Sequence, residues 1–210
     1  YSLSVMGSAS EGGKSSSFNY TGGSSNDLSE QHAAAYFGIE EMLRSTEGQI
    51  VTRSLDENFT GDVVMTPPAV SDLLAWLLGQ LGDMQLISGN SLYHNSVGEL
   101  IASPLLNLSS RFDGPGLLPV SADGCVAAPL DVIFEGRLMN LLPSLYGSRK
   151  TGLVHRPSAD GWRISPGSTP RTELCDGIEH GALVGRLSMG RPATNGDFSG
   201  VIKSSTEIID

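Results

Sequence analysis

The segment Thr66-Pro-Pro-Ala-Val-Ser-Asp-Leu-Leu-Ala-Trp-Leu-Leu-Gly-Gln-Leu-Gly82 carries the clearest helix signal in the chain. Thr66 suits the N-cap, and Pro67 suits the first helical position, where its missing N–H costs nothing. Apolar residues then recur at helical spacing until Gly82 ends the pattern. They are Val70, Leu73, Leu74, Leu77, Leu78 and Leu81. The segment predicts an amphipathic helix with its apolar stripe in the protein core and Asp72 on the outer side.

The sequence on both sides of this helix is rich in turns. The 210 residues include 26 glycines and 11 prolines, a composition that favours a β-rich or α+β fold over a helical bundle. Apolar and polar residues alternate on both sides of Glu11-Gly12-Gly13, and apolar-rich runs flank Glu135-Gly136. Both patterns predict β-hairpins. We expect an α+β fold in which an antiparallel, partly barrel-like sheet packs around the central amphipathic helix.

The N-terminal part of the chain predicts part of a second domain. After its hairpin and a Gly/Ser linker, an apolar stripe predicts a helix over residues 28–46, with Asp27 as N-cap and Glu30 at capping-box spacing. We divide the chain into residues 1–48, the end of an N-terminal domain, and residues 49–210, a C-terminal domain. Because the chain starts without Met and stops within a predicted strand, we expect a fragment cut at both ends.

Composition argues against several classes of partner. The formal net charge is -10, and no cluster of Lys and Arg offsets it, so nucleic acid is not an expected partner. No apolar run approaches the roughly 20 residues of a membrane span, and the N-terminus lacks the features of a signal peptide. We therefore expect a cytoplasmic protein without membrane contact. Cys125 and Cys175 have no CxxC partner and are predicted to be buried, reduced thiols.

The residues alone predict neither a catalytic group nor a metal site in this chain. The four histidines are dispersed, and none has a second His or Cys at the spacing that puts two ligands on one helix face. They are His32, His94, His155 and His180. The sequence contains no Gly-x-Ser-x-Gly elbow and no phosphate-binding loop.

The glycine-rich segment Gly185–Gly200 is the best candidate for a binding surface. Asn195-Gly196 favours a tight turn, and the guanidinium groups of Arg186 and Arg191 suit recognition of peptide carbonyls or carboxylates. We predict that this segment lines a groove or a subunit interface; the alternative is a plain hairpin whose arginines are solvated. The candidate binding residues are Asp72, Arg186, Arg191, Asn195, Asp197 and Phe198.

Six short segments, in order along the chain, resemble motifs of the TldD/PmbA family. These bacterial and archaeal proteins are associated with zinc-dependent proteolysis and are labelled modulators of DNA gyrase. The segments are the N-terminal hairpin with its Ser/Gly-rich link and Asp27-Leu28, Asp62–Leu74, Val97–Ser103, Asp123-Gly124 with Ile133-Phe-Glu-Gly-Arg-Leu138, Thr151-Gly152 with Arg156, and Asn195-Gly-Asp-Phe-Ser-Gly200.

The resemblance implies which type of subunit this chain represents. TldD-type members carry HExxxH at the start of the C-terminal-domain helix, where two histidines bind zinc and the glutamate activates water. Here the matching residues are Thr66-Pro-Pro-Ala-Val-Ser-Asp72, and proline cannot bind zinc. The resemblance therefore implies a TldE/PmbA-type subunit, non-catalytic or regulatory, in a cytoplasmic zinc metallopeptidase that processes peptides. It implies zinc on a TldD-like partner, dimerisation with that partner or with itself, and unfolded peptide as substrate.

Two other functions stay open. The chain fits a stand-alone module that binds peptide by adding it to a sheet edge. It also fits a hydrolase whose metal ligands lie outside these residues. A neighbouring gene for an HExxxH homologue would favour the subunit role.

Overall fold

The computed structural model describes residues 1–25, 27–29, 31–52, 60–112, 117–158, 161–170, 173–189, 197, 199–203 and 207–209. Contacts divide the chain into two compact units. Unit 1 comprises Tyr1–Asp72, Thr169–Arg191 and Phe198–Asp210, and unit 2 comprises Leu73–Ser168 and Pro192–Asp197. Helices and mainly antiparallel strands occur together, which confirms the predicted α+β class. Among the described residues, no sheet closes into a barrel.

Unit 1 begins with the predicted hairpin. Strands β1 (Ser2–Gly7) and β4 (Asn19–Ser24) pair antiparallel, and between them the two-residue strands β2 (Ser10–Glu11) and β3 (Lys14–Ser15) form the tip. The turn residues Gly12 and Gly13 have φ of 55° and 82°, a left-handed conformation that glycine adopts without steric cost.

The helix predicted over residues 28–46 is wrong in its extent. Two helices form instead, α1 (Ala33–Tyr36) and α2 (Ile39–Gly48). Gly38 between them has a φ of 63°, which a continuous right-handed helix cannot include. The Asp27 side chain accepts a hydrogen bond from the Ser29 N–H at 2.8 Å, and therefore forms a local turn before the helix starts.

A parallel strand pair forms the centre of unit 1. Strand β5 (Asp62–Met65) pairs parallel with β10 (Gly181–Val184), and β10 pairs antiparallel with β13 (Glu207–Ile209). Helix α3 (Pro67–Leu81) follows β5 directly. The Thr66 hydroxyl donates to the Gly185 carbonyl at 2.6 Å, so the start of α3 is bound to the residue that follows β10.

Unit 2 contains the other half of α3, two further helices and a four-stranded antiparallel sheet. The helices are α4 (Asp83–Ser88) and α5 (Leu145–Thr151). The strands are β6 (Leu108–Arg111), β7 (Leu130–Phe134), β8 (Arg137–Leu138) and β9 (Gly161–Ile164), in the order β8-β7-β6-β9. The predicted Glu135-Gly136 hairpin is confirmed, with φ of 47° and 74° at the two turn residues.

The core of unit 2 contains the apolar stripe of α3. Leu81 is fully buried, and Leu74, Leu77 and Leu78 pack against the same cluster, as the helical periodicity predicts. The other fully or nearly fully buried members are Leu86, Leu108, Val132, Ile133, Leu138 and Leu141.

Two predictions about the whole chain can be compared with the structure. Cys125 and Cys175 are free thiols, as predicted, but each is half-buried rather than buried. Within the residues that the structure describes, no helix has the length and apolar character to cross a membrane.

Candidate functional site

The structure describes three of the six predicted site residues, which are Asp72, Arg186 and Asp197. Arg191, Asn195 and Phe198 lie outside the described residues, so the predicted turn at Asn195-Gly196 is not described either. The structure does describe the strands on either side of this predicted turn. Strand β11 (Arg186–Met189) pairs antiparallel with β12 (Gly200–Lys203), and Met189 lies opposite Gly200. Asp197, which lies between these two strands in the sequence, is exposed to solvent.

Asp72 has a definite partner within unit 1, contrary to its predicted place on an outer, solvated face of the helix. Its side chain is half-buried, and its Oδ2 accepts a hydrogen bond from the backbone N–H of Leu187 at 3.1 Å. A carboxylate acceptor of this kind satisfies a strand N–H and fixes the strand against the helix. Asp72 is thus a structural link between α3 and β11.

The guanidinium of Arg186 is stacked on an aromatic ring. The sequence predicted a guanidinium that recognises a peptide or one that is surrounded by water. Its Cζ lies 3.6 Å from the centroid of the Tyr20 ring, and its Nη2 donates to the Tyr20 carbonyl oxygen at 3.1 Å. Stacking on an aromatic face orients the planar guanidinium and is favourable by about 0.5–1 kcal/mol at an exposed site. Tyr20 belongs to β4 and is 47% exposed, so the pair forms a cationic, aromatic surface on unit 1.

The structure brings Asp72 and Arg186 to the same strand. Asp72 accepts a hydrogen bond from the N–H of Leu187 in β11, and Arg186 is the preceding residue of the same strand. Consecutive strand residues point to opposite faces. Sequence reasoning missed the contacts of Asp72 with Leu187 and of Arg186 with Tyr20, because the residues of each pair are 115 and 166 positions apart. An aromatic residue on a predicted strand is a common pattern and gives no signal of this role.

The first turn of α3 does not fit a zinc ion. Pro67 and Pro68 offer no donor atom, and the next residue, Ala69, is completely buried against Ala182 and Val184. Asp72, the nearest carboxylate in the helix, is already bound to the Leu187 N–H. Zinc in proteins requires Cys, His, Asp or Glu ligands at about 2.0–2.3 Å, and an apolar contact occupies this place instead.

The contacts of His155 indicate a structural role for this residue. Its Nε2 lies 3.2 Å from Asp123 Oδ2, and the same oxygen accepts a hydrogen bond from the Leu145 N–H at 3.0 Å. Asp123 therefore links the start of α5 to the segment that follows this helix. In the part of the chain that the structure describes, no three side chains of His, Cys, Asp or Glu come close enough to hold a metal ion.

The fold is similar to that of three solved structures. A candidate modulator of DNA gyrase from Bacteroides thetaiotaomicron has a TM-score of 0.81 at 21% identity, over 98% of this chain and 48% of that one. TldE from Thermococcus kodakarensis has a TM-score of 0.73 at 16% identity, over 96% and 52%. A candidate modulator of a DNA gyrase from Thermotoga maritima has a TM-score of 0.73 at 16% identity, over 100% and 50%. This chain thus spans about half the length of each.

A family model gives the assignment that these low identities do not. Among curated proteins, none matches this chain. The model of the PmbA/TldA metallopeptidase C-terminal domain matches residues 59–210, which include α3, the sheet of unit 2 and the β11–β12 hairpin. The family is the one that the six sequence motifs resemble, and the chain belongs to the PmbA/TldA metallopeptidase family.

Proposed function

We propose that this chain belongs to a TldE/PmbA-type subunit, a non-catalytic or regulatory partner in a cytoplasmic zinc metallopeptidase that processes or degrades peptides. One observation carries the proposal. The first turn of α3 contains Pro67, Pro68 and the buried Ala69, at the position where a TldD-type subunit would carry HExxxH. The chain covers about half of its structural relatives, so the activity of the whole protein is part of the proposal.

The similar structures support the same subunit type. One of them is named TldE, which is the kind of subunit that we propose. In this proposal the zinc and the water that it activates belong to a TldD-like partner, while this chain supplies surface. The surface that we assign to this role is the stacked pair of Arg186 and Tyr20. Its guanidinium can bind a carboxylate of the partner or of a peptide.

The first experiment measures zinc in the purified chain. We expect far less than one zinc per chain after purification in zinc-containing buffer, because the start of α3 has no ligand set. A control variant, Pro67→His with Ala69→Gly, tests whether one added imidazole is enough to retain metal; we expect that it is not. Near-stoichiometric zinc that is lost on replacement of His94 or His155 would refute the proposal.

The second experiment tests for the catalytic partner. The chain is expressed with and without an HExxxH-bearing family member from the same organism, and peptidase activity is measured on an unfolded peptide. We expect zinc and chelator-sensitive activity only in the co-purified complex. Chelator-sensitive peptidase activity of the chain alone would show instead that it has its own catalytic site.

The third experiment tests the surface. Arg186→Gln removes the guanidinium that stacks on Tyr20 and is expected to weaken association with the partner by about tenfold, as expected for a charge-assisted contact worth roughly 1.5 kcal/mol. Arg44→Gln is the matched control, since Arg44 lies on α2 in an exposed pair with Glu41. Equal association of both variants and the unchanged chain would place the interface elsewhere.

Sheet-edge capture of peptide is the second candidate function, and the strand order of unit 2 favours it. Strand β9 is an end strand of the four-stranded sheet in the described residues, and Trp162 on it is 36% exposed. An end strand offers backbone N–H and C=O groups to an extended peptide. Saturable binding of unfolded peptide by the chain alone, abolished by Arg163→Pro in β9, would favour this role over the subunit role.

A further inference from the structure

The exposed face of the four-stranded sheet in unit 2 contains a cavity of about 350 Å³. This volume is at the low end of the 300–1,000 Å³ that is usual for ligand sites, so the cavity fits a small molecule. Ser110 of β6 is 0% exposed and points to the core. Because side chains alternate along a strand, Ser109 and Arg111 line the opposite, cavity-bearing face.

Charged side chains of both signs meet at the centre of this face. Strand pairing places Asp131 of β7 and Arg163 of β9 on either side of Ser109, and directly opposed residues point to the same face of a sheet. Arg111 approaches Asp131 from the same strand as Ser109. The cavity therefore offers cationic and anionic groups next to each other, within a chain whose overall charge is strongly negative.

The contact between Arg111 and Asp131 leaves capacity for a ligand. Arg111 Nη2 and Asp131 Oδ1 are 3.7 Å apart, which is longer than the 2.7–3.2 Å of a hydrogen bond. The Nε of Arg111 is held by Ser109 Oγ at 3.1 Å, and Ser109 is only 9% exposed. This bond holds the guanidinium beside Asp131, while the hydroxyl hydrogen of Ser109 supplies one more donor.

We propose that this cavity binds a free α-amino acid, with its carboxylate on Arg111 and its ammonium group on Asp131. In an α-amino acid the ammonium and carboxylate groups are attached to the same carbon atom. They can therefore contact the neighbouring Asp131 carboxylate and Arg111 guanidinium at the same time. A peptide carries them at opposite ends. Phe134 lines the cavity and is 49% exposed, which favours an apolar side chain on the ligand. The site goes beyond the proposed subunit function and does not depend on it.

Isothermal titration calorimetry of the full chain with L-leucine tests the proposal. N-acetyl-L-leucine lacks the ammonium group and L-leucinamide lacks the carboxylate. We expect saturable binding of L-leucine and binding of each derivative that is weaker by about tenfold or more, because each loses a charge-assisted hydrogen bond. Equal binding of all three compounds, or no saturable binding of L-leucine at millimolar concentration, would overturn the proposal.

Variants test the two residues. Arg111→Gln and Asp131→Asn should each weaken L-leucine binding by about tenfold. The matched controls Arg149→Gln and Asp176→Asn remove the same charges from exposed positions outside the cavity. They should leave the affinity for L-leucine unchanged. Thermal unfolding checks that each variant folds, and Arg111→Lys replaces Arg111→Gln if that variant does not. Unchanged affinity in the folded cavity variants, or equal losses in the controls, would contradict the assignment.

Discussion

The carboxylate of Asp72 accepts a hydrogen bond from the backbone N–H of Leu187 at 3.1 Å, across 115 residues of sequence. The bond joins α3 to β11, and both ends belong to unit 1. Asp72 is half-buried, so water does not fully replace the bond when the side chain is removed.

Removal of this carboxylate should destabilise the protein. We expect Asp72→Ala to lower the free energy of unfolding by about 1–3 kcal/mol, because the Leu187 N–H loses its acceptor. Asp72→Asn keeps a side-chain oxygen and should cost less. Ser71→Ala is the control at the neighbouring exposed position, with a change within about 0.5 kcal/mol. Urea unfolding measures all three, and equal values for Asp72→Ala and Ser71→Ala would mean that the bond adds no stability.

The apolar stripe of α3 gives a second prediction. Leu81→Ala should cost about 2–5 kcal/mol, because Leu81 is fully buried in the core of unit 2 and its truncation leaves a cavity. Leu105→Ala changes the same residue type at 88% exposure and should change stability by less than about 0.5 kcal/mol. Chemical denaturation compares the two. Similar losses at both positions would show that the packing around Leu81 is not the source of the effect.

The start of α5 has no room for a side chain at Gly147. A Cβ there would overlap Asp83 Oδ1, and Asp83 accepts hydrogen bonds from the N–H and the hydroxyl of Ser144, the N-cap of α5. Gly147→Ala should therefore displace Asp83 and cost about 1–3 kcal/mol.

Gly79 supplies the control for this substitution. It lies in α3 with nothing within 4 Å of its Cβ position, so Gly79→Ala should be neutral or stabilise by up to about 1 kcal/mol through higher helix propensity. Thermal unfolding ranks the two variants. A Gly147→Ala protein as stable as Gly79→Ala would show that Asp83 moves without cost.

Burial raises the pKa of the Tyr93 hydroxyl above its usual value of 10.0. In the unfolded chain this tyrosine loses its proton at about pH 10, whereas in the folded protein it keeps the proton to higher pH. The unfolded state then binds fewer protons, so stability falls as pH rises above about 10.

Substitution isolates this effect. The free energy of unfolding of Tyr93→Phe should fall less steeply above about pH 10 than that of the unchanged chain, since the substitution removes the titrating group. Denaturant unfolding at several alkaline pH values provides the comparison. Parallel curves for Tyr93→Phe and the unchanged chain would contradict the burial effect.

Local patterns predicted the local elements well. The periodicity of α3 and the turns at Gly12-Gly13 and Glu135-Gly136 depend on neighbouring residues, and the structure contains all three. The hydroxyl of Thr66, the predicted N-cap, donates to the Gly185 carbonyl. The break at Gly38 was missed because a single glycine within an apolar periodic stretch is compatible with a helix. Phe37 and Met42, near this glycine, are buried at 6% and 5% exposure.

The candidate site was less predictable for a physical reason. The partners of Asp72 and Arg186 are a strand N–H and an aromatic ring far away in sequence, and no local spacing specifies such pairs. The division at residues 48 and 49, the partner subunit and the roles of Arg191, Asn195 and Phe198 stay predictions.

The parallel pairing of β5 with β10 has a consequence for protein synthesis. Thr66 and Gly185, which bond at the end of this pair, are 119 residues apart, a distance that takes about 6–24 s to translate at roughly 5–20 residues per second. Residues 73–168 of unit 2 emerge from the ribosome during that interval, so they have time to fold before β5 meets its neighbour. Until then the backbone N–H and C=O groups of residues 62–65 lack the β10 partners that they have in the folded protein.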